Sequence, residues 1–441
     1  MRQTKKFLLL ISITLLAVVQ VYSQSGKIEF TEFTLENGLH VILHRDTGTP
    51  IVVVSVMYNV GSKHENPDRT GFAHFFEHLM FEGTQNIPRG EYAKIVENAG
   101  GVLNAFTSND RTYYYELLPS NQLELGLWLE SERMLHATVD SIGIQTQKQV
   151  VLEEKKQRVD NTPYGTMFEE TFKRAFTEHP YRWQTIGDPE HIMAAEDEEF
   201  LDFYNKFYVP DNAVLVIAGD IDKEQTKNLV NKYFADIPKG ASPNNYQKII
   251  EPMLKGEVRD TIFDNVQLPL IIQAYRSPAM KTEDHYAMDM LNTLLSTGQS
   301  SRLYRELVDN KKLALMLASF PMSLVEPSLS LVFALPNMEI DPYELEKAID
   351  AEVDKVKKDL IPDSEFQKLR NQFENNIVSG NQRMATIAQN LATYHTYFKD
   401  ASLVNNELEK YMAVTREDIQ RVANKYFRPE NRVVLYYMPN K

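Results

Sequence analysis

The feature that most constrains the fold of this 441-residue chain is an internal repeat. The segment NKFYVPDNAVLVIAGD, which begins at Asn205, and the segment NKYFRPENRVVLYYMP, which begins at Asn424, share the pattern Asn-Lys-aromatic-aromatic-x-Pro-acid-Asn-x-Val. In both segments a helical stretch stops before a proline, and a β-branched, apolar strand follows. Such junctions can recur by chance, but agreement at this many positions, half a chain apart, favours duplication of a whole domain.

A duplication requires a boundary between the two copies, and the segment IPKGASPNNYQK, which begins at Ile237, is rich in Pro, Gly, Ser and Asn. We therefore predict a first domain over residues 24–236, a linker over 237–258 and a homologous second domain over 259–441. Within the first half, HVILHR and PIVVVSVMYN have the composition of strands, whereas YAKIVENAG and DEEFLDFYNKFY have the periodicity of helices. The prediction is an α+β fold, in which each domain is a mixed sheet flanked by helices.

The first 23 residues have a basic start, an apolar run from Phe7 to about Val19 and a small residue, Ser23, at the end. This is the layout of a secretory signal peptide, so we expect export to a periplasm, or less often to the outside of the cell. An uncleaved membrane anchor is the alternative, although the run is short for a span of about 20 residues. We expect no stable membrane insertion once the signal is removed.

Composition narrows the possible partners and metal ligands. The net charge of −14 disfavours binding to nucleic acid and to anionic membranes. The chain has no cysteine, which excludes disulfides and thiolate metal sites. Any metal ion must therefore be held by histidines and carboxylates.

The segment GFAHFFEHLMFEGT places two histidines and a glutamate among phenylalanines. If the segment is helical, His74 and His78 are four residues apart and project from one face, where both can reach one ion. Two histidines supply half of a tetrahedral zinc shell. Glu77, beside the second histidine, can act as general base on water that the metal activates. The order His-x-x-Glu-His is the signature of inverted zinc peptidases.

A third protein ligand is sought in the segment TQKQVVLEEKKQRVD. On a helix, Glu154 shares the face of Val150 and Val151, whereas Glu153 shares a face with polar residues that should be solvated. Of the two, the pattern favours Glu154, but without further evidence two ordinary solvated glutamates are the simpler interpretation of this segment.

The remaining histidines have no second ligand at helical spacing, so we expect each to be a polar surface or capping residue rather than a ligand. They are His40, His44, His64, His136, His179, His191, His285 and His395.

The segments VGSKHENPDRTGFAHFFEHLMFEGT and VVLEEKKQR together resemble the two active-site blocks of the pitrilysin and mitochondrial processing peptidase family of zinc metalloendopeptidases. The resemblance implies two processing-peptidase-like domains that enclose a peptide-binding cavity, the second without a metal site. It implies one Zn²⁺ per chain on His74, His78 and Glu154, with Glu77 as the catalytic base.

The resemblance also implies that the segment beginning at Gly100 contains an edge strand that pairs with an extended peptide substrate. Asn104, Ala105 and Phe106 are then substrate-binding residues, with Asn104 and Ala105 at the scissile bond. A strand of the composition LNAFTS can serve such β-augmentation, although most edge strands have no such role.

Two departures from the family pattern are visible. An acid that the family often has seven residues before the distal ligand is replaced by Gln147. An Arg and a Tyr of the second domain, which contact substrate in active members, are replaced by Val308 and Leu315.

The absence of this pair predicts that the protein is the catalytic subunit of a heterodimer, whose homologous partner supplies the Arg and the Tyr. Two alternatives remain: an enzyme that works alone, with Val308 and Leu315 as core residues, and a noncatalytic assembly or peptide-holding subunit of a larger complex.

Overall fold

The structure, a computed structural model, describes residues 27–240 and 246–440. The predicted signal peptide therefore lies outside the described residues. Within the described part of the chain, no helix is long and apolar enough to cross a membrane.

The first half of the chain forms a six-stranded mixed sheet with the order β1-β2-β6-β3-β5-β4, and the second half forms a five-stranded mixed sheet with the order β7-β11-β8-β10-β9. The strands are β1 (Thr31–Thr34), β2 (His40–Arg45), β3 (Ile51–Tyr58), β4 (Val102–Thr107), β5 (Thr112–Pro119), β6 (Ala213–Gly219), β7 (Val258–Asp264), β8 (Leu270–Ser277), β9 (Ala314–Pro321), β10 (Ser328–Pro336) and β11 (Arg432–Pro439).

Helices flank both sheets, so the predicted α+β fold with two similar mixed sheets is confirmed. The α-helices are α1 (Phe72–Leu79), α2 (Tyr92–Asn98), α3 (Leu123–His136), α4 (Ser141–Lys155), α5 (Met167–Ala175), α6 (Pro189–Ala194), α7 (Asp197–Phe207), α8 (Lys223–Phe234), α9 (Glu283–Ser296), α10 (Pro342–Lys358), α11 (Asp363–Gly380), α12 (Met384–Phe398), α13 (Glu407–Ala413) and α14 (Arg416–Tyr426).

The sequence repeat occupies the same place in both sheets. Strand β6 runs parallel to β2 and antiparallel to β3, and β11 runs parallel to β7 and antiparallel to β8. The asparagine of each repeat has the same task, because the side-chain amide of Asn212 donates to the carbonyl of Phe207 at 2.9 Å and that of Asn431 donates to the carbonyl of Tyr426 at 2.8 Å. Each asparagine thus satisfies a free carbonyl where a helix ends.

Each half of the chain packs one helix on the sheet of the other half. Helix α5 of the first half packs on the second sheet, where Phe172 and Phe176 join a buried cluster with Leu331 and Leu435. Helix α12 of the second half packs on the first sheet through residues that include Leu391. Each sheet therefore has one face covered by its own half and the other covered by the opposite half.

A buried polar network also joins the halves. Lys63 Nζ lies 2.8 Å from Asp110 Oδ1 and 3.3 Å from Glu326 Oε1, and all three side chains are buried. His179 Nε2 lies 2.9 Å from the other oxygen of Glu326. Glu326 follows β9 in the second half, whereas the other residues belong to the first half, so these contacts pair charges between the two halves. Buried charges are stable only when they are paired in this way.

Candidate metal centre

Helix α1 presents one apolar face to the core and one polar face to a cavity. Its buried phenylalanines stack against α7, where the ring of Phe200 lies 4.7 Å from that of Phe72 and 4.5 Å from that of Phe75. The helix starts after Gly71, which has a φ of 94°. The carboxylate of Glu65 accepts hydrogen bonds at 2.9 Å from the backbone N–H groups of Gly71 and Ala73. The apolar residues of the motif therefore anchor the helix and leave the histidines free.

The opposite face of α1 carries His74 and His78, whose ring centroids are 4.8 Å apart. Glu154 Oε2 lies 3.6 Å from His74 Nε2 and 3.1 Å from His78 Nε2. Around a tetrahedral zinc ion with bonds of about 2.0–2.2 Å, ligand atoms lie roughly 3.4 Å from one another. The spacing of these three side chains therefore fits one zinc ion.

The protonation states of this group also suit a metal. Burial, followed by the nearby His78, lowers the pKa of His74 to about 4. The neighbouring His78 ring is the main cause of the lowered pKa of Glu154. The buried atoms His74 Nδ1 and Glu154 Oε2 have no aligned hydrogen-bond partner within the described residues. At neutral pH a neutral imidazole therefore lies beside a carboxylate, the protonation states that a metal ion requires of these ligands.

Helix α4 supplies the third candidate ligand. Glu154 is half-buried and faces α1, whereas Glu153 is exposed and accepts a hydrogen bond from Gln157 at 2.9 Å. The helical face that was predicted to hold Glu154 with Val150 and Val151 is only partly buried. Val151 lies in the core, but Val150 is 43% exposed and lines the cavity. Two residues after Glu154 a π-helical segment, Lys156–Asp160, begins, and such segments are frequent at functional sites.

Glu77 lies on the cavity side of α1, next to the histidines. Burial raises the pKa of its carboxyl group, and Thr107 Oγ1 donates a hydrogen bond to Glu77 Oε2 at 2.6 Å. Thr107 was not among the residues singled out from the sequence. Its position on the predicted edge strand, two residues after Ala105 and thus on the same face, is the signal that could have identified it.

Strand β4 is an edge of the first sheet and, among residues 27–240 and 246–440, pairs only with β5. Asn104 and Ala105 line a cavity of about 760 Å³ together with the metal-ligand candidates and Glu77. Phe106 lines an adjoining cavity of about 470 Å³, which also contains His74 and Glu77. An unpaired strand edge therefore borders the candidate metal centre.

Arg158 is a second residue that sequence reasoning missed. Its Nη1 donates to Glu154 Oε1 at 2.5 Å, and its side chain is 76% exposed. The spacing of four residues from Glu154 on one helical face was the available signal. The arginine lines both cavities and reaches the candidate ligand from the solvent side.

Gln147, at the position where an acid was expected by resemblance, points away from this group of ligands. Its side-chain amide donates to Glu82 Oε1 at 2.5 Å. Glu82 also pairs with Arg89. The glutamine thus ties α4 to the segment that follows α1.

Val308 and Leu315 lie away from the cavities that contain His74. Val308 is in a π-helical segment, Tyr304–Asn310, and packs against the core of the second half. Leu315 lies on the edge strand β9 and is 47% exposed. Both of these cavities are lined only by residues of the first half, as far as the described chain shows.

Comparison with known proteins identifies the relatives of this chain. The family model described as insulinase, peptidase family M16, matches residues 40–189, and the model described as peptidase M16 inactive domain matches residues 195–373. The zinc protease PqqE of Helicobacter pylori is 32% identical over 448 aligned residues, which cover 99% of each chain.

Solved structures agree with this result. The crystal structure of a protease from Helicobacter pylori has a TM-score of 0.88 and 32% identity, and the match covers 93% of this chain and 100% of that one. The periplasmic protease PqqL from Escherichia coli has the same fold, with a TM-score of 0.76 at 18% identity, and the match covers 93% of this chain but 48% of that one. The metal-ligand motif, the duplicated fold and these matches lead to one conclusion: the chain belongs to the insulinase family, M16, of peptidases.

Proposed function

We propose that this protein is a zinc metalloendopeptidase that hydrolyses extended peptides or unfolded protein segments. The observation that carries the proposal is the convergence of His74, His78 and Glu154 with Glu77 beside an open strand edge. Relatives named zinc proteases support it. Burying this many polar groups together is costly unless they bind a ligand or a metal.

In this proposal His74, His78 and Glu154 hold one zinc ion, which when bound supplies a Lewis acid that makes water more acidic. Glu77 accepts a proton from the attacking water at its carboxylate and returns it to the leaving amine. Thr107 orients Glu77 through the 2.6 Å hydrogen bond, which limits the rotation of the carboxylate. The apolar packing behind α1 keeps the helix from shifting while charge develops at the cavity surface.

The substrate would bind as an added strand on β4. Backbone groups on the free edge of β4 provide affinity in this mode, and side-chain pockets provide selectivity. Asn104 and Ala105 would flank the scissile bond, and Phe106 would bound the adjoining pocket. The combined cavity has room for several residues of an extended peptide.

We further propose that the active form is a heterodimer in which a homologous subunit brings an Arg and a Tyr opposite the zinc. Support comes from Val308 and Leu315, which contribute nothing to the cavities around Glu77. The Escherichia coli relative is about twice as long as this chain, which agrees with two such units acting together.

A noncatalytic, peptide-holding subunit is the second candidate, and the apolar residues at positions 308 and 315 favour it. The same cavity would then bind peptide without cleaving it.

The predicted domain boundaries remain part of the proposal: domain one over 24–236, a linker over 237–258 and domain two over 259–441. So does export to the periplasm after removal of residues 1–23, which is supported by the periplasmic location of the Escherichia coli protease of the same fold.

The experiment is cleavage of a mixed peptide library by the purified chain without residues 1–23, after its zinc content has been measured. The chain is assayed alone and with a homologue that carries the Arg and the Tyr. We expect cleavage only in the mixture, loss of cleavage on chelation, and a decrease of about 10²–10⁴-fold in Glu77→Gln with zinc retained. Glu153→Gln is the matched control, because it removes an exposed carboxylate from the same cavity and should change little.

The outcomes separate the candidates. Full activity of the isolated chain would contradict the heterodimer. Zinc binding without cleavage in any mixture, together with a Glu77→Gln variant that behaves like the wild type, would contradict catalysis and favour the peptide-holding role.

A further inference from the structure

A second group of metal-ligating side chains lies where the two halves of the chain meet. Glu32 is on strand β1, His40 is the first residue of β2, and His395 is on α12 of the second half. The rings of His40 and His395 are stacked, with centroids 3.5 Å apart and planes 9° apart. His40 Nε2 lies 3.1 Å from Glu32 Oε2.

This arrangement was not expected from the sequence, which placed His40 and His395 among the polar surface or capping residues. Sequence spacing detects only ligands that share one element, whereas these two histidines are 355 positions apart (395 minus 40). The packing of α12 on the first sheet brings them together.

One ring nitrogen of this histidine pair is available to a cation. Both histidine rings are half-buried. His395 Nδ1 is buried without a hydrogen-bond partner in the described part of the chain. A buried ring nitrogen without a partner is costly, and a metal ion would remove that cost.

The orientation of His40 is set by a neighbour. Thr34 Oγ1 lies 3.0 Å from His40 Nδ1, which leaves Nε2 directed at Glu32. Metal-ligating histidines usually have the other ring nitrogen held by such a hydrogen bond, because it fixes the tautomer and the ring plane. Without a cation, His40 Nε2–H donates to Glu32 at 3.1 Å and Nδ1 accepts from Thr34. A cation at Nε2 would take the place of that proton, and Nδ1–H would then donate to the threonine.

Each of the three residues offers one ligand atom, and these three atoms lie within 4.8 Å of one another. The ligand atoms of His74, His78 and Glu154 also lie within this distance of one another. Closing to the separation of roughly 3.4 Å around a tetrahedral ion requires one ring to turn out of the stack, because the lone pairs of two parallel rings do not converge on one ion. Glu32 has room to move because its side chain is 44% exposed. The positive charge of Lys399, which contributes to lowering both histidine pKa values, opposes a cation, so binding should be weaker than at the first group.

We propose that Glu32, His40 and His395 form a second, structural site for a divalent cation of the zinc class, which fastens helix α12 of the second half to the edge of the first sheet. Two imidazoles and one carboxylate favour zinc, nickel or copper over magnesium or calcium, which prefer oxygen ligands. The site is independent of the proposed peptidase activity.

The test is zinc binding measured by elemental analysis after equilibrium dialysis, with a melting temperature for each sample. We expect two zinc ions per wild-type chain and one in the His74→Ala/His78→Ala variant, which lacks the first group. Adding His395→Phe to that variant should remove the remaining ion, and with it the zinc-dependent rise in melting temperature. Phenylalanine keeps an aromatic ring stacked on His40.

Two controls accompany the test. His395→Phe alone should still bind one ion, at the first group, which would establish that the substitution leaves the protein folded. His136→Phe, which lies outside both groups, should still bind two. The proposal is overturned if the His74→Ala/His78→Ala variant binds no zinc, or if its remaining ion and melting temperature are unchanged by His395→Phe.

Discussion

Replacing Phe200 by alanine should loosen the helix that carries His74 and His78. Phe200 is fully buried, and its ring is stacked on that of Phe72 at 4.7 Å and tilted against that of Phe75 at 4.5 Å. Truncating a buried phenylalanine costs about 3–5 kcal/mol, of which each aromatic pair accounts for about 0.5–1.5 kcal/mol. We expect the free energy of unfolding to decrease by about 4 kcal/mol, and zinc affinity to decrease because α1 loses the surface that fixes its position.

The measurement is urea denaturation followed by tryptophan fluorescence, which reports on the first half because Trp128 and Trp183 both lie there. Zinc affinity is measured by competition with a chelating dye. Phe200→Leu keeps apolar volume but loses the ring, so it should cost about 2 kcal/mol. Leu201→Ala removes a neighbouring side chain that is 39% exposed and should cost about 0.5 kcal/mol or less. If Phe200→Ala were no more destabilising than Leu201→Ala, or left zinc affinity unchanged, the idea that this aromatic stack positions the ligands would be wrong.

Three further outcomes are expected. Burial alone would raise the pKa of Glu326, but the hydrogen bond from His179 and the charge of Lys63 lower it to about 2. The contribution of Glu326 to stability is therefore complete above a pH of about 4.5 and is lost as the pH falls towards 2. In an acid titration, Glu326→Gln should lack that part of the stability loss that the wild type shows. Gly71→Ala should lower the free energy of unfolding, measured by urea denaturation, by about 2 kcal/mol or more. The reason is that φ is 94° and the added Cβ would lie 2.8 Å from the carbonyl oxygen of Ile186. An unchanged denaturation midpoint would contradict this. Chelation should abolish peptide cleavage and lower the melting temperature, and added zinc should restore both; activity that survives complete removal of zinc would exclude the proposed mechanism.

The structure bears out what local patterns predicted. The spacing of the phenylalanines and histidines in α1 follows from helical periodicity, which places residues four apart on one face. The same rule favoured Glu154 over Glu153, whereas the edge strand β4 was expected from the family resemblance. The repeat at Asn205 and Asn424 predicted two similar sheets, because each copy specifies the same helix, turn and strand.

Helical and strand periodicity in the sequence therefore indicated elements of the fold, the faces they bury and the pairing of His74 with His78 on one helical face. The structure brings Glu154, which the sequence only favoured over Glu153, to these histidines. Only the tertiary structure decided which half covers which sheet, since α5 and α12 are amphipathic helices that could each have packed on their own half. It also decided that Lys63 meets Glu326 and that His40 meets His395. Periodicity reports the geometry of one element, whereas a contact between residues hundreds of positions apart depends on how apolar faces pack together, and that packing is a property of the whole chain.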